Sequence, residues 1–144
     1  MLSRASPEVI EQAQAMLTLM RHGWGLENPA FRQIFTSRFI PEAAPEQMQW
    51  FNDLQHVTAS AENAVRIRQV IDEIDVELFL SEITTPTLVL HCRDNATVPF
   101  EEGRRMAPRI PNARFVSPER QNHLILEDEP ASPRFLQEVR AFLV

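Results

Sequence analysis

The sequence has few of the residues that covalent cross-links and strained turns require. Among 144 residues there is one cysteine, Cys92, so no disulfide can form within the chain and we expect a reducing compartment. The glycines are three, Gly23, Gly25 and Gly103, and the sequence contains no G-x-S-x-G. Phosphate-binding loops and turns that expose a nucleophilic serine usually need more glycines, so this scarcity argues against both.

Lysine and tyrosine are absent, so all fourteen basic residues are arginines, and the net charge is −6. Phosphate contacts need clustered cations, so nucleic acid is not expected as a partner. The N-terminal segment MLSRASPEVIEQ has no long apolar run. We therefore expect no membrane span, no signal peptide and a cytoplasmic location. The histidines and the cysteine have no H-x-x-x-H or C-x-x-C spacing, so neither a metal nor a cofactor is expected.

Residues 1–84 have the periodicity of a helical segment. Ser6 and Ser60 are predicted N-caps, the first followed by Pro7 at the first helical position. Further helices are predicted over 29–39, after Pro45 and, as a short element, after Asp75. The buried face of the helix that follows Ser60 is predicted from its apolar spacing to consist of Ala64, Ile67, Ile71 and Ile74.

Residues 85–144 have a strand, helix, strand, helix pattern, and we expect them to form one structural unit with the helical segment. The apolar run Thr87–His91 predicts a buried parallel strand, and residues 113–117 predict the second strand. A helix is predicted from Phe100 to Arg109. The last helix is predicted to be capped by Ser132, with an apolar stripe made of Phe135, Leu136, Val139, Phe142 and Leu143.

Two segments of this half resemble the end of an α/β-hydrolase. PTLVLHCRDNATVPF is similar to the family's strand and acid loop, and ARFVSPERQNHLILEDEP to its last strand and histidine loop. The helical segment resembles the cap of bacterial hydrolase domains found in some LuxR-type regulators. The resemblance implies an α/β class chain with an incomplete α/β-hydrolase-like fold, namely the C-terminal half, in which cap helices precede the last two strands.

The resemblance also assigns the family's catalytic positions. His123 matches the histidine, and Glu129-Pro130 follows it at the usual distance. The acid position falls on Asn95, which cannot carry the charge that stabilises an imidazolium; in a serine protease that change costs about 10⁴ in rate. Asp94 could substitute through a small loop shift, or Asp94 and Asn95 could simply form a turn capped by short polar side chains. His123 could equally be a loop histidine without chemistry.

Cys92 stands where the family prefers glycine, and we interpret it as a small apolar filler at the end of a strand rather than a nucleophile. Neighbours in a strand point to opposite faces, which argues against a working pair with His91.

The apolar faces of the cap helices could roof a pocket or make the core of the chain. Two strands are too few for an independently stable sheet, and an exposed edge at Thr87–His91 invites pairing. We therefore expect the sheet to be completed by a homodimer or a complementing chain.

The function expected from these features is a hydrolase-derived module that is not catalytic on its own and acts in dimerisation or in binding a small molecule or protein. The alternative is part of an esterase-like serine hydrolase whose nucleophile half comes from another chain or from a segment outside this sequence.

Overall fold

The structure, a computed structural model, describes residues 6–144. Residues 1–5, which begin the N-terminal segment considered above, lie outside the described residues. The elements follow one another as α1 (Pro7–Gly23), α2 (Ala30–Phe39), α3 (Pro45–Thr58), α4 (Ala61–Glu73), a 3₁₀ helix (Glu77–Glu82), β1 (Leu88–Leu90), α5 (Phe100–Met106), a second 3₁₀ helix (Ala107–Arg109), β2 (Arg114–Val116) and α6 (Ser132–Leu143).

The chain divides into two compact units. The first unit comprises residues 6–37 and 44–75, and the second unit comprises residues 38–43 and 76–144. The second unit therefore takes in the last residues of α2 and the loop after it, although these come early in the sequence. Within the described residues, no helix is both long and apolar enough to span a membrane.

The first unit is held together mainly by α1 and α4, which pack against each other. Its buried core consists of Met20, Phe35, Ala64 and Val65. The two predicted N-caps are confirmed: the Ser6 hydroxyl accepts a hydrogen bond from the backbone N–H of Val9, and the Ser60 hydroxyl accepts one from that of Asn63. Each cap satisfies one of the N–H groups that the first helical turn leaves without a partner.

The predicted buried face of α4 is wrong in three of its four members. Ala64 is buried beside Val65, but Ile67, Ile71 and Ile74 are each more than half exposed. The reason is that α1 covers the side of α4 that carries Ala64 and Val65. Apolar periodicity identifies the apolar side of a helix, and it does not say which side a neighbouring helix covers.

The second unit contains a parallel pair of strands in which Leu88 lies opposite Arg114, Val89 opposite Phe115 and Leu90 opposite Val116. The two predicted strands are confirmed in position, and each is one residue shorter at both ends than predicted. The buried core of this unit is built around the first strand and consists of Leu80, Val89, Ala107 and Ile110. The single described strand pair fits the fold class predicted from the sequence.

The helix predicted from Phe100 to Arg109 is α5 followed by the 3₁₀ helix. Gly103 is buried in α5 because the helix passes directly over the His91 ring. A Cβ atom at this position would lie 2.8 Å from Nδ1 of His91, which is closer than Cβ atoms come to other heavy atoms in folded proteins. Glycine is therefore needed here because the helix packs closely against His91, and not because of unusual backbone geometry. This close packing fixes the helix against the end of β1.

The last helix differs from the prediction at its start and on its apolar face. Ser132 is the first helical residue and is buried, while the capping position belongs to Ala131 and has no side-chain cap. Leu136 and Leu143 of the predicted stripe are 44% and 76% exposed. This helix contacts β1, yet much of its apolar side stays uncovered by residues 6–144.

Candidate functional site

The loops that follow the two strands run side by side beyond the sheet. Backbone N–H groups of Arg93 and Ala96, in the first loop, donate to the carbonyl oxygens of Pro118 and Gln121 at 2.8 and 3.0 Å. The N–H of Asp94 donates in the same way to Arg120 at 3.2 Å. Because the carboxyl ends of parallel strands lie at the same edge, this pairing brings residue 95 of one loop beside residue 123 of the other.

Asn95 and His123 meet at this edge. Nδ2 of Asn95 lies 3.1 Å from Nδ1 of His123. The other amide atom of Asn95, Oδ1, accepts the backbone N–H groups of Thr97 and Val98, each at 2.9 Å. Both side chains are half-buried. The arrangement is an Asx turn in which the same side chain that closes the turn also reaches the imidazole.

Asp94 lies on the surface, and its exposed side chain makes no hydrogen bond to His123 among the described residues. Of the two residues considered for the family's acid position, Asn95 and Asp94, the structure brings Asn95 to the histidine. An amide thus occupies the place at Nδ1 where a hydrolase triad would need a carboxylate.

His123 is fixed by the end of α2. Its backbone N–H donates to the carbonyl oxygen of Phe39 at 2.8 Å, and the Phe39 ring meets the imidazole edge-on with centroids 5.3 Å apart. The Asn95 loop is tied to the same place, because the Thr97 hydroxyl donates to the Arg38 carbonyl oxygen at 2.6 Å. Both halves of the pair are therefore anchored to one short segment of the second unit.

Asn122, the neighbour of His123, is almost fully buried, with 1% of its surface exposed. Its Oδ1 accepts the backbone N–H of Glu42 at 2.9 Å, and its Nδ2 donates to Oε2 of Glu129 at 2.6 Å. The side chain thus connects the loop after α2 to two positions of the loop that carries the histidine. Asn122 is not among the residues predicted from the sequence, and the only signal for it there is its position next to His123.

Burial and neighbouring charges act on both titratable groups of the site. Burial lowers the pKa of His123, and His91 lowers it further. Burial also raises the pKa of the Cys92 thiol, with smaller contributions from Glu129 and Glu42. The thiol is 5% exposed. These effects keep Cys92 protonated near neutral pH, and a protonated thiol is a poor nucleophile.

His91 is engaged elsewhere, because its Nε2 lies 3.1 Å from the carbonyl oxygen of Val98, to which it donates. Residues 6–144 contain no cluster of three or more histidine, cysteine or acidic side chains that could hold a metal ion. An open groove in the second unit includes neither Asn95 nor His123; it is lined by Glu127, Ser132, Pro133, Leu136, Gln137 and Arg140.

Comparison with known proteins identifies the class of fold. No protein-family model matches the sequence. The chain is 30% identical over 146 aligned residues to a protein of Pseudomonas syringae pv. syringae (strain B728a) named as a carbamate hydrolase, RutD, and the match covers 99% of this chain and 48% of that protein. The chain thus spans about half the length of this relative.

Two solved structures are similar to it along nearly all of its length. An esterase from Exiguobacterium antarcticum has a TM-score of 0.77 and 20% identity, with 92% of this chain and 47% of the esterase covered. An enol-lactonase from Burkholderia xenovorans LB400 has a TM-score of 0.76 and 21% identity, with 96% and 51% covered. The chain therefore has an α/β-hydrolase-like fold and matches about half of each neighbour. It is related in sequence to proteins named as hydrolases.

Proposed function

We propose that this chain is an α/β-hydrolase-derived binding module, formed from the C-terminal half of that fold, which does not catalyse hydrolysis on its own. The observation that carries the proposal is the amide of Asn95 at Nδ1 of His123. A general-base histidine becomes an imidazolium during the reaction, and a carboxylate at Nδ1 stabilises that charge. An amide offers no such charge, and burial already lowers the pKa of this imidazole.

An ester-hydrolysis assay tests this proposal. The isolated chain, the His123→Ala variant and the His22→Ala variant are compared on p-nitrophenyl acetate. His22 is an exposed histidine of the first unit and serves as the matched control. We expect the same slow rate from all three proteins. Turnover that His123→Ala abolishes and His22→Ala preserves would contradict the proposal.

The alternative is that the chain contributes its histidine to an esterase-like serine hydrolase. What favours it is that the side chains of residues 95 and 123 are within hydrogen-bond distance, as a working pair requires. The sequence relative named as a carbamate hydrolase supports this alternative, in which the substrate would be a carbamate or a related ester. The nucleophile would then come from another chain or from a segment outside these 144 residues.

We further propose that the chain assembles through the free edge of β1. Among the described residues β1 pairs only with β2. The backbone of Thr87 and His91 bonds to the β2 side, so alternation directs the N–H and C=O groups of Leu88 and Leu90 to the free edge. An unpaired edge beside apolar side chains favours association with another strand. A second copy of the chain would give a four-stranded sheet through the two Thr87–His91 segments.

Light scattering at micromolar concentration tests this assembly. We expect a dimer for the parent chain and a monomer for Leu88→Pro, because proline removes an N–H group at the free edge. Circular dichroism on the variant establishes that it is folded. A folded, monomeric parent chain would refute the homodimer. The predicted cytoplasmic location and the likeness to domains of LuxR-type regulators stay predictions.

A further inference from the structure

The hydrogen bonds of Asn95 fix which of its amide atoms faces the histidine. Its Oδ1 accepts the backbone N–H groups of Thr97 and Val98. A half-turn of the amide would lose both bonds and set the NH₂ group against two N–H donors. Each lost bond costs on the order of 1 kcal/mol, and each donor left without a partner costs more. The NH₂ group therefore points at His123, and it can only donate.

The donor at Asn95 determines the tautomer of His123. Nδ1 of the imidazole must accept the hydrogen bond, so it carries a lone pair and no proton. The proton of the neutral ring then lies on Nε2. A general base needs the opposite arrangement, with the proton on Nδ1 and the lone pair on Nε2 directed at the nucleophile.

Nε2 of His123 has no hydrogen-bond partner among residues 6–144. The backbone N–H of His123 bonds to the Phe39 carbonyl oxygen, and the ring itself is held by the Phe39 ring and the Asn95 amide. A donor that is fixed in direction and has no partner within this part of the chain is a feature of a binding site, since orienting it in advance reduces the entropy cost of binding.

Charge decides which kind of acceptor suits this donor. A proton on Nδ1 would face the NH₂ group of Asn95, so protonation of the ring would cost the hydrogen bond. Burial, and next His91, lower the pKa of His123 in the same direction. The loops around the ring carry ten further charged or titratable side chains, namely Glu42, His91, Cys92, Arg93, Asp94, Glu119, Arg120, Glu127, Asp128 and Glu129. Arg120 lies 3.9 Å from Glu42 and Arg93 lies over the Phe100 ring, so each of these cations already has a partner, while the negative charge of Glu42 and Glu129 raises the pKa of the adjacent buried Cys92 thiol and disfavours an anion on that side.

We infer that His123 presents an uncharged Nε2–H donor and that the site binds the oxygen of an uncharged carbonyl compound, such as an amide, an ester or a carbamate. The ligand class rests on the binding role proposed above. The tautomer does not rest on it, because the orientation of the Asn95 amide alone requires it.

Nitrogen-15 NMR of the whole chain tests the tautomer directly. The spectra correlate ring nitrogens with ring protons, and His123→Ala identifies the signals of residue 123. We expect a protonated Nε2 and an unprotonated Nδ1 at pH 7, with a titration midpoint below the ordinary histidine value of 6.5. A proton on Nδ1, or a charged ring at pH 7, would overturn the inference.

The Asn95→Asp variant tests whether the donor at residue 95, and not only its closeness to His123, sets the tautomer. A carboxylate can only accept, so it should move the proton to Nδ1 and raise the titration midpoint. Asn95→Ala should leave a mixture of both tautomers. If the three proteins have the same His123 tautomer, residue 95 does not set it and the inference is wrong. Signals of His91 serve as an internal control for the fold, because its Nε2 bonds to a backbone carbonyl oxygen.

Titration with two small probes tests the ligand class. N-methylacetamide should shift the His123 ring signals of the parent chain, and acetate at equal concentration should not. The Asn95→Asp variant, whose Nε2 would be an acceptor, should lose the response to the amide. A larger response to acetate, or none to either probe, would refute the ligand class. The ester assay above tests the non-catalytic role separately, so the two can fail independently.

Discussion

Replacement of Arg32 by methionine is expected to lower the free energy of unfolding of the first unit by about 3 kcal/mol, since each buried carbonyl that loses its donor costs about 1–3 kcal/mol. Arg32 is 2% exposed. Its Nε donates to the carbonyl oxygen of Asn52 at 3.1 Å and its Nη1 to that of Trp24 at 2.8 Å. The same guanidinium also donates to the carbonyl oxygens of Leu26 and Glu27.

These partners explain why a buried cation is tolerated without a carboxylate partner among residues 6–144. The carbonyl oxygens of Trp24, Leu26 and Glu27 follow the C-terminal end of α1, where the helix dipole favours positive charge. The guanidinium also joins this segment to α3 through Asn52. Methionine preserves the length of the side chain and its apolar stem but supplies no donor, so four carbonyl groups would be left without this partner.

Urea unfolding followed by tryptophan fluorescence measures the effect, because Trp24 packs edge-on against Phe35 in the core of the first unit. Arg66→Met is the matched control, since Arg66 lies on α4 of the same unit and is exposed. We expect its free energy of unfolding to change by less than about 0.5 kcal/mol. Equal midpoints for Arg32→Met and the parent would show that the carbonyl contacts contribute no net stability.

Arg32 also illustrates what could not be predicted from the sequence. Helix positions, the caps at Ser6 and Ser60 and the two parallel strands follow from local patterns of polarity and capping chemistry. The partners of Arg32 are backbone carbonyl groups, and every residue has one, so no pattern of side chains indicates them. The exposed apolar faces of α4 and α6 could not be distinguished from buried ones for a different reason. Their periodicity is unchanged whether or not a neighbour covers them.

The site was predictable to the extent that it depends on similarity to a family. His123 and Asn95 were identified from two loop segments, and the pairing of those loops explains why residues distant in sequence meet. The choice between Asn95 and Asp94 needed coordinates, because a shift of one residue in a loop changes which side chain reaches the imidazole. Asn122 was not predictable, since its role depends on Glu42, which is 80 residues away in the sequence, and on a path of its own loop that brings Glu129 back to it.

The two asparagines of the site share one hydrogen-bond pattern. Asn95 and Asn122 each use the amide oxygen for backbone N–H groups and the amide nitrogen for a side-chain acceptor. An amide can do both, whereas a carboxylate can only accept and an ammonium can only donate. A carboxylate at position 95 would change the chemistry of His123. A carboxylate at position 122 would instead damage the support beneath it.

Replacement of Asn122 by aspartate is therefore expected to destabilise the second unit by about 3–5 kcal/mol at neutral pH, the cost of a buried charge without a partner. The change preserves the size of the side chain and the acceptor for the Glu42 N–H. It removes the donor that lies 2.6 Å from Oε2 of Glu129 and puts a second carboxylate in its place. Oε1 of Glu129 is also buried and has no hydrogen-bond partner among the described residues, so the two charges would repel with little screening.

Denaturant unfolding followed by circular dichroism at pH 4 and pH 8 measures this effect. The loss of stability should be larger at pH 8 than at pH 4, because a buried carboxyl group introduced at position 122 can take up a proton at the lower pH. Asn112→Asp is the matched control, because Asn112 lies on an exposed turn of the same unit and gains the same charge.

The double variant Asn122→Asp/Glu129→Gln reverses donor and acceptor and should recover most of the lost stability, because the glutamine amide can donate to the new carboxylate. Recovery would identify the hydrogen bond, and not the shape of the cavity, as the interaction that supports His123. A double variant as unstable as Asn122→Asp alone would attribute the support to packing.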